Sequence, residues 1–228
     1  MKIDYCIVIK EELPLLINHL SLLRKFNDMS KHNFHLVYKG NVRLDDTDLL
    51  LNDFTIYEVP DYIMYDKDGR EVGSRETYDV ADAWNYCAEN CGNEEVVIIA
   101  HSDIEYTNDG LIDIISNYFD DKNIGIVLSP GVISFRREVF RKSKFKFWPL
   151  MGNLVGKRKK DNKDYVFVND PQYYGEELED IRNCMGFDIG NLFFLEAPKF
   201  GYRLIPAGQD RMEKYRHIGC GSLRGING

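Results

Sequence analysis

The chain has 228 residues, 44% apolar and 13% aromatic, enough for one domain with a sizeable core and too apolar for a disordered tail. Lys and Arg number 29 against 37 Asp and Glu, a formal net charge of −8. That balance argues against nucleic acid or an anionic membrane as a general partner, because both are held by clustered cations.

The chain opens with MKIDYCIVIKEELP. Acids interrupt its short apolar run, so no signal peptide is expected. YCIVIK (5–10) predicts a first buried strand. EELPLLINHLSLLRKF (11–26) predicts a helix, with leucines 15, 16, 20 and 23 at helical spacing and Pro14 tolerated in its first turn. FHLVYKG (34–40) predicts a second strand, DDTDLLLNDF (45–54) a short helix and FTIYEVP (54–60) a third strand. A polar loop, DKDGREVGSR (66–75), precedes the helix ETYDVADAWNYCAENC (76–91), which Gly92 closes. EVVIIAHSD (95–103) predicts a fourth strand, and NDGLIDIISNYF (108–119) a helix capped by Asn108 or Asp109. IGIVLSPG (124–131) and VISFRREVF (132–140) follow. The stretch 148–180 mixes glycine, a basic run, acids and aromatics. It breaks the rhythm and predicts a long loop or small excursion, a common form for binding loops. A helix and a strand return in DIGNLFFLEAPKFGYRLIPA (188–207).

Strand–helix alternation of this kind predicts an α/β fold with a mostly parallel, doubly wound sheet. No stretch reaches the about 18–20 apolar residues of a membrane span. The five cysteines, Cys6, Cys87, Cys91, Cys184 and Cys220, are odd in number and form no C-x-x-C pair. Reduced thiols and a cytoplasmic location are therefore expected.

Ligands of open α/β sheets bind outside the carboxyl ends of the strands. VVIIAHSD brings His101 and Asp103 to such an end. Strand alternation points the two the same way, and Glu105 joins them if the strand continues. An imidazole beside a carboxylate can hold Mn²⁺ or Mg²⁺ under a diphosphate. The plainer alternative is that Asp103 caps the next turn and His101 is a polar strand end.

Four stretches, in order, resemble the GT-A glycosyltransferases, the family-two-like members of the nucleotide-diphospho-sugar transferases. DVADAWNYCAENCGNEEVVIIAHSDIEY resembles the segment where a helix with an A-x-N pattern leads into the strand bearing a D-x-D metal motif. Here A-x-N is Ala83-Trp84-Asn85 and D-x-D reads His101-Ser102-Asp103. GVISFRREVFRKSKF resembles the stretch that follows it. MGFDIGNLFFLEAPKFGYRLIPA is similar to the segment in which a two-acid motif opens a helix, and KYRHIGCGS to a terminal H-x-G-G-G-S-like stretch. The resemblance covers residues 76–140 and 186–222. It departs from the family at His101 and Phe187, each standing where an acid is expected. The acid-rich turn after the second strand is replaced by YKGNVRLDD, so base recognition does not carry over.

The resemblance implies one GT-A (Rossmann-like) domain over 1–228. Residues 1–107 would be the nucleotide-sugar-binding half, and 108–228 the acceptor-side half with a flexible C-terminus. It implies an inverting, metal-dependent transferase that moves a sugar from a nucleotide-diphosphate-sugar to a glycan or other hydroxyl acceptor. His101, Asp103 and His217 would hold Mn²⁺ or Mg²⁺, with Asp188 as general base. Arg75, Asn85, Ser102, Gly219 and Ser222 would contact the donor. The alternatives are a non-catalytic sugar-nucleotide or glycan-binding module on the same fold, and a sugar-phosphate nucleotidyltransferase. The last is disfavoured because VIKEELPLL has no glycine for a phosphate loop. Trp84 reads as core and Trp148 as a possible sugar platform. Lys157–Lys160 and the acids Glu176, Glu177, Glu179 and Asp180 read as solvated surface.

Overall fold

The computed structural model describes residues 1–9, 13–39, 44, 50–60, 62–65, 70–72, 76–143, 146–147, 155–158, 164–166 and 191–218. In chain order these form strand β1 (Asp4–Ile9), helix α1 (Leu13–Phe26), and strands β2 (Asn33–Tyr38), β3 (Phe54–Glu58), β4 (Tyr62–Tyr65) and β5 (Glu71–Val72). Helix α2 (Glu76–Asn90), strands β6 (Val96–His101) and β7 (Ile104–Tyr106), and helix α3 (Leu111–Tyr118) follow. Next come β8 (Ile124–Ser129), β9 (Val132–Arg136), α4 (Arg137–Lys142), β10 (Val155–Arg158) and β11 (Asp164–Val166). A short helix Asn191–Glu196, a 3-10 turn, β12 (Arg203–Ile205), a helical turn Gln209–Met212 and β13 (Tyr215–His217) complete the order.

Seven strands form the main sheet in the order β12-β8-β9-β6-β1-β2-β3. Neighbours are parallel except around β9, which runs antiparallel to both β6 and β8. β1 shows why the sheet needs helices on both faces. Its Tyr5, Ile7 and Ile9 enter one core with Leu16, Leu20 and Leu23 of α1. Cys6 enters the other with Ala83, Trp84 and Cys87 of α2. The mostly parallel α/β sheet expected from the alternation is therefore present. Among the described residues no helix is long and apolar enough to cross a membrane.

Three local expectations are corrected. The loop 66–75 contains β5, and the excursion 148–180 contains β10 and β11. These join β4 in a second, antiparallel sheet of order β11-β10-β4-β5. β4 and β10 lie about ninety residues apart, and short segments such as YIMY become strands only through that remote pairing. Helix α3 is not capped by Asn108 or Asp109. Its N-cap is Gly110 at φ 86°, with no side-chain bond, because Asn108 Oδ1 accepts the Asp109 N–H instead. The helix expected over 45–54 falls mostly outside the described residues.

The amino end of the sheet is organised by a buried charge. Asp4 is fully buried. It accepts hydrogen bonds from Asn33 Nδ2 at 3.0 Å, His35 Nε2 at 3.0 Å, the Glu94 N–H at 2.8 Å and Arg137 Nη2 at 2.8 Å. Burial opposes its ionisation, but the bonds from His35, Asn33 and Glu94 outweigh that and hold the carboxyl below its ordinary range. Arg137 also donates to the carbonyls of Ala88 and Cys91 at the end of α2, which have no partner within the helix. Gly92 follows Cys91 and turns the chain at φ 66°, and a Cβ there would lie 2.0 Å from Asp4 Oδ1. Asp4→Ala leaves the Arg137 cation buried without its partner. It is expected to cost about 3–5 kcal/mol of unfolding free energy, read from urea denaturation. A loss below about 1 kcal/mol, the scale of an exposed pair, would contradict this account.

Candidate metal and donor site

β6 runs buried to His101 at its carboxyl end, where it pairs Val8 of β1 and its N–H bonds the Gly131 carbonyl at 3.0 Å. The strand does not continue to Glu105 as a simple alternation would have it. Ser102 and Asp103 form a turn, both buried, and the chain restarts as β7. β7 pairs antiparallel with β13, setting His217 opposite Ile104, and the Ile218 N–H bonds the Asp103 carbonyl at 3.1 Å. This two-stranded ribbon carries His217 back over the turn.

Three side chains converge there. Asp103 Oδ1 lies 3.2 Å from His217 Nε2 and 3.9 Å from His101 Nδ1. The His101 and His217 rings stand edge to face with centroids 5.3 Å apart. Burial works against ionisation of Asp103, yet His217 beside it, with His101, holds the carboxyl below the usual carboxylate range. Asp103 Oδ1 and His217 Nε2 are both buried without a well-formed hydrogen bond among the described residues. A divalent ion with ligands at about 2.1 Å separates two of them by about 3.0 Å when adjacent and about 4.2 Å when opposite. The 3.2 and 3.9 Å separations fit that range, and the orphaned atoms are what an ion between them would satisfy. One carboxylate with two imidazoles suits a transition ion such as Mn²⁺ better than an all-oxygen cation such as Mg²⁺.

Of the other expected site residues, Ser102 sits in the same turn. Asn85 is buried on α2. Its Oδ1 accepts the Phe147 N–H at 2.9 Å, while its Nδ2 has no partner among the described residues. Arg75, Asp188, Gly219 and Ser222 lie outside the described residues, as do Trp148, Lys159 and Lys160.

The structure gives one core residue a second role and adds others that sequence reasoning passed over. The Trp84 ring stands 5.4 Å from that of His101, so its core position also walls the site. Gly131 has φ 71°, and a Cβ there would meet His217 Cδ2 at 2.9 Å. Just after β2, Lys39 is buried and pairs with Asp82 at 2.7 Å and Asp79 at 3.5 Å on α2. His19 is fully buried on the leucine stripe of α1, and it was legible as the polar residue on that stripe. Its Nδ1 lies 3.0 Å from the His101 carbonyl and its Nε2 3.1 Å from the Tyr5 hydroxyl, which in turn is 2.7 Å from the Tyr106 hydroxyl. A carbonyl only accepts, so Nδ1 carries the proton and Nε2 accepts from Tyr5. The neutral ring thus ties the backbone at His101 to β1 and β7.

No protein-family model matches the sequence, and no curated protein does. Solved structures do. The chain superposes on a mannosyltransferase from Pyrobaculum calidifontis, solved with GDP-Man and Mn²⁺, with a TM-score of 0.54 at 14% identity over 91% of this chain. It spans 55% of that protein's length. The chain has the GT-A fold. Mouse xyloside xylosyltransferase 1 matches at TM-score 0.50 and 12% identity over 89% of this chain and 84% of its own. Glucosyl-3-phosphoglycerate synthase from Mycobacterium tuberculosis, solved with Mn²⁺, UDP and phosphoglyceric acid, matches at 0.50 and 10% over 99% and 73%. Within this GT-A fold, His101-Ser102-Asp103 stands at the end of β6, where the resemblance set the D-x-D motif.

His19 gives a measurable consequence. Burial lowers its pKa from 6.5 to about 4, while in the unfolded chain it titrates near its ordinary value. Between those values the unfolded state binds a proton that the folded state refuses. The contribution is therefore fully present above pH 6.5 and lost as pH falls toward 4. The loss is about 3 kcal/mol. Unfolding measured across this window should give a steeper acid loss for the wild type than for His19→Gln. His32, also lowered by burial, cancels in the difference. Parallel slopes would refute the assignment.

Proposed function

We propose that the chain is a metal-dependent glycosyltransferase that moves a sugar from a nucleotide-diphosphate-sugar to an acceptor hydroxyl, with inversion. The convergence of His101, Asp103 and His217 at the carboxyl end of β6 in a GT-A fold supports this most. Two structural neighbours were solved with Mn²⁺ and a guanosine or uridine nucleotide, so Mn²⁺ is the first ion to test and a nucleoside diphosphate the first ligand. Bound at these residues, a divalent cation supplies positive charge to the leaving diphosphate.

The chain's own groups do the rest. Asp103 and the two imidazoles hold the donor end. His19 and the β7–β13 ribbon keep those side chains in place before ligand arrives, which limits the cost of ordering them. Asp188 is assigned as the base that takes the acceptor proton as the new bond forms. Arg75, Gly219 and Ser222 are assigned to the donor phosphates, and Asn85 and Ser102 to the donor-side wall. The whole of 1–228 acts as one domain, with donor half 1–107 and acceptor half 108–228, working in the cytoplasm on a glycan or similar hydroxyl acceptor. His101 and Phe187, each standing where an acid is expected, favour a second reading: a module of the same fold that binds a sugar nucleotide without turnover.

Two substitutions separate these readings. Asp103→Asn is expected to weaken Mn²⁺-dependent binding of UDP or GDP at least about 10-fold, measured by calorimetry, with the fold intact by circular dichroism in the absence of ligand. Unaltered metal-dependent affinity would remove Asp103 from the site. Asp188→Asn keeps an oxygen able to cap a helix and removes the proton acceptor. Turnover should drop roughly 10²–10⁴-fold with donor affinity nearly constant. A wild-type protein that binds nucleotide with Mn²⁺ and neither transfers nor hydrolyses any nucleotide-sugar supports the binding module instead.

A further inference from the structure

A second cluster of ligand-type atoms lies on the α2 face of the sheet, near its amino end. β1 contributes Cys6. α2 contributes Cys87 in its last turn, and Cys91 follows immediately after the helix. The spacing of four sets these two on one face. All three thiols are fully buried and reduced, with their sulfurs within 4.8 Å of one another. Small apolar packing would explain one such cysteine. It does not explain the histidine beside them.

His35 is paired with Cys6 in the β1–β2 register, so both side chains emerge on the same face of the sheet. It is only 4% exposed. Its Nε2 lies 3.0 Å from Asp4 Oδ1, and a carboxylate there only accepts, so Nε2 carries the proton. In the neutral ring, the form that ligates a metal, Nδ1 is then a bare lone pair. It is buried and has no hydrogen-bond partner among the described residues. A carboxylate behind one ring nitrogen, with the other nitrogen bare, is how histidines are set to ligate a metal.

We propose that Cys6, Cys87, Cys91 and His35 form a buried structural Zn²⁺ site, separate from the donor site. Three sulfurs and one imidazole make a closed tetrahedral set of the structural kind, with no position left for substrate. Zn–S bonds of about 2.3 Å place tetrahedral sulfurs about 3.8 Å apart, so thiols now within 4.8 Å close by at most about 1 Å. His35 lies outside that circle and moves in as the fourth ligand. Three thiolates around a divalent ion leave one net negative charge. The Arg137 guanidinium, paired with Asp4 at 2.8 Å, also bonds the Cys91 carbonyl at 2.7 Å and so brings positive charge close to that site. The site would pin the end of α2 to β1 and β2.

The test uses the full chain, reduced, treated with chelator under anaerobic conditions and titrated with Co²⁺ alone. The expected result is a thiolate-to-cobalt charge-transfer band, with the visible bands of a tetrahedral ion, saturating at one equivalent and displaced by Zn²⁺. The donor site has no sulfur, so the band reports the cysteine cluster, and Asp103→Asn should leave it intact. Cys87→Ser should abolish it. Because that substitution alters a core, the decisive control changes the other two cysteines instead: the double variant Cys184→Ser, Cys220→Ser must keep the band. His35→Gln should weaken Zn²⁺ at least about 10-fold. A folded wild type with no sulfur-to-cobalt band overturns the proposal, and so does a band lost in the double variant. Unchanged Zn²⁺ affinity in His35→Gln overturns the fourth ligand.

Discussion

One buried carboxylate constrains much of this fold. Asp4 is fully enclosed and ionised, a state tolerated only where donors surround the charge. Its four donors come from β2, from the turn after α2 and from the first residue of α4. None of these is near it in the chain except through folding, so the ionised state exists only when β1, β2, the end of α2 and α4 are all in place. The turn that brings the Glu94 N–H into range passes so close that only glycine fits at 92. Arg137 then closes the end of α2 while it neutralises Asp4. One ion pair therefore anchors the carboxyl end of α2 to β1 and α4.

The carboxyl end of the sheet is supported by neutral groups. His19, Tyr5 and Tyr106 form a hydrogen-bonded chain without a formal charge. Burial pushes the Tyr5 hydroxyl well up, raises that of Tyr106 and lowers His19 to about 4. All three therefore stay neutral at physiological pH. A charge at that position would compete with Asp103 for a cation. A neutral bracket holds the His101 backbone and leaves the electrostatics of the turn to Asp103 and the two imidazoles. The separation matters because burial strengthens every electrostatic interaction, wanted or not.

Periodicity made β1, α1, α2 and β6 legible, since each buries a face that its own spacing declares. It could not reveal β5, β10 and β11, whose pairing partners are remote, nor the bare N-cap of α3. The site was legible in part. His101 and Asp103 were placed by strand polarity and spacing, but the reason first drawn for their proximity was too simple. They meet because the chain turns at Ser102, and the turn was invisible in a segment that reads HSDIEY. His217 was reached through the resemblance alone. What brings it in is the β7–β13 ribbon, two three-residue strands about 110 residues apart, too short to carry a period. Gly131 makes room for it through a backbone conformation that no pattern of side chains announces.

The exchange of an acid for His101 has an electrostatic consequence on the proposed reading. Two acids would bring two negative charges to a divalent ion and neutralise it. His101, Asp103 and His217 bring one, since neutral imidazoles are the ligating form. The residues alone then retain the ion less strongly, and the positive charge left over falls to a nucleoside diphosphate. Nucleotide and ion each raise the other's affinity, and by linkage the two increments are equal. Asp103 carries the only formal charge among the three and is buried. It must be ionised for either partner to be held. The low carboxyl pKa conferred by His217 and His101 keeps it so, which ties the second histidine to donor binding even before any ion arrives.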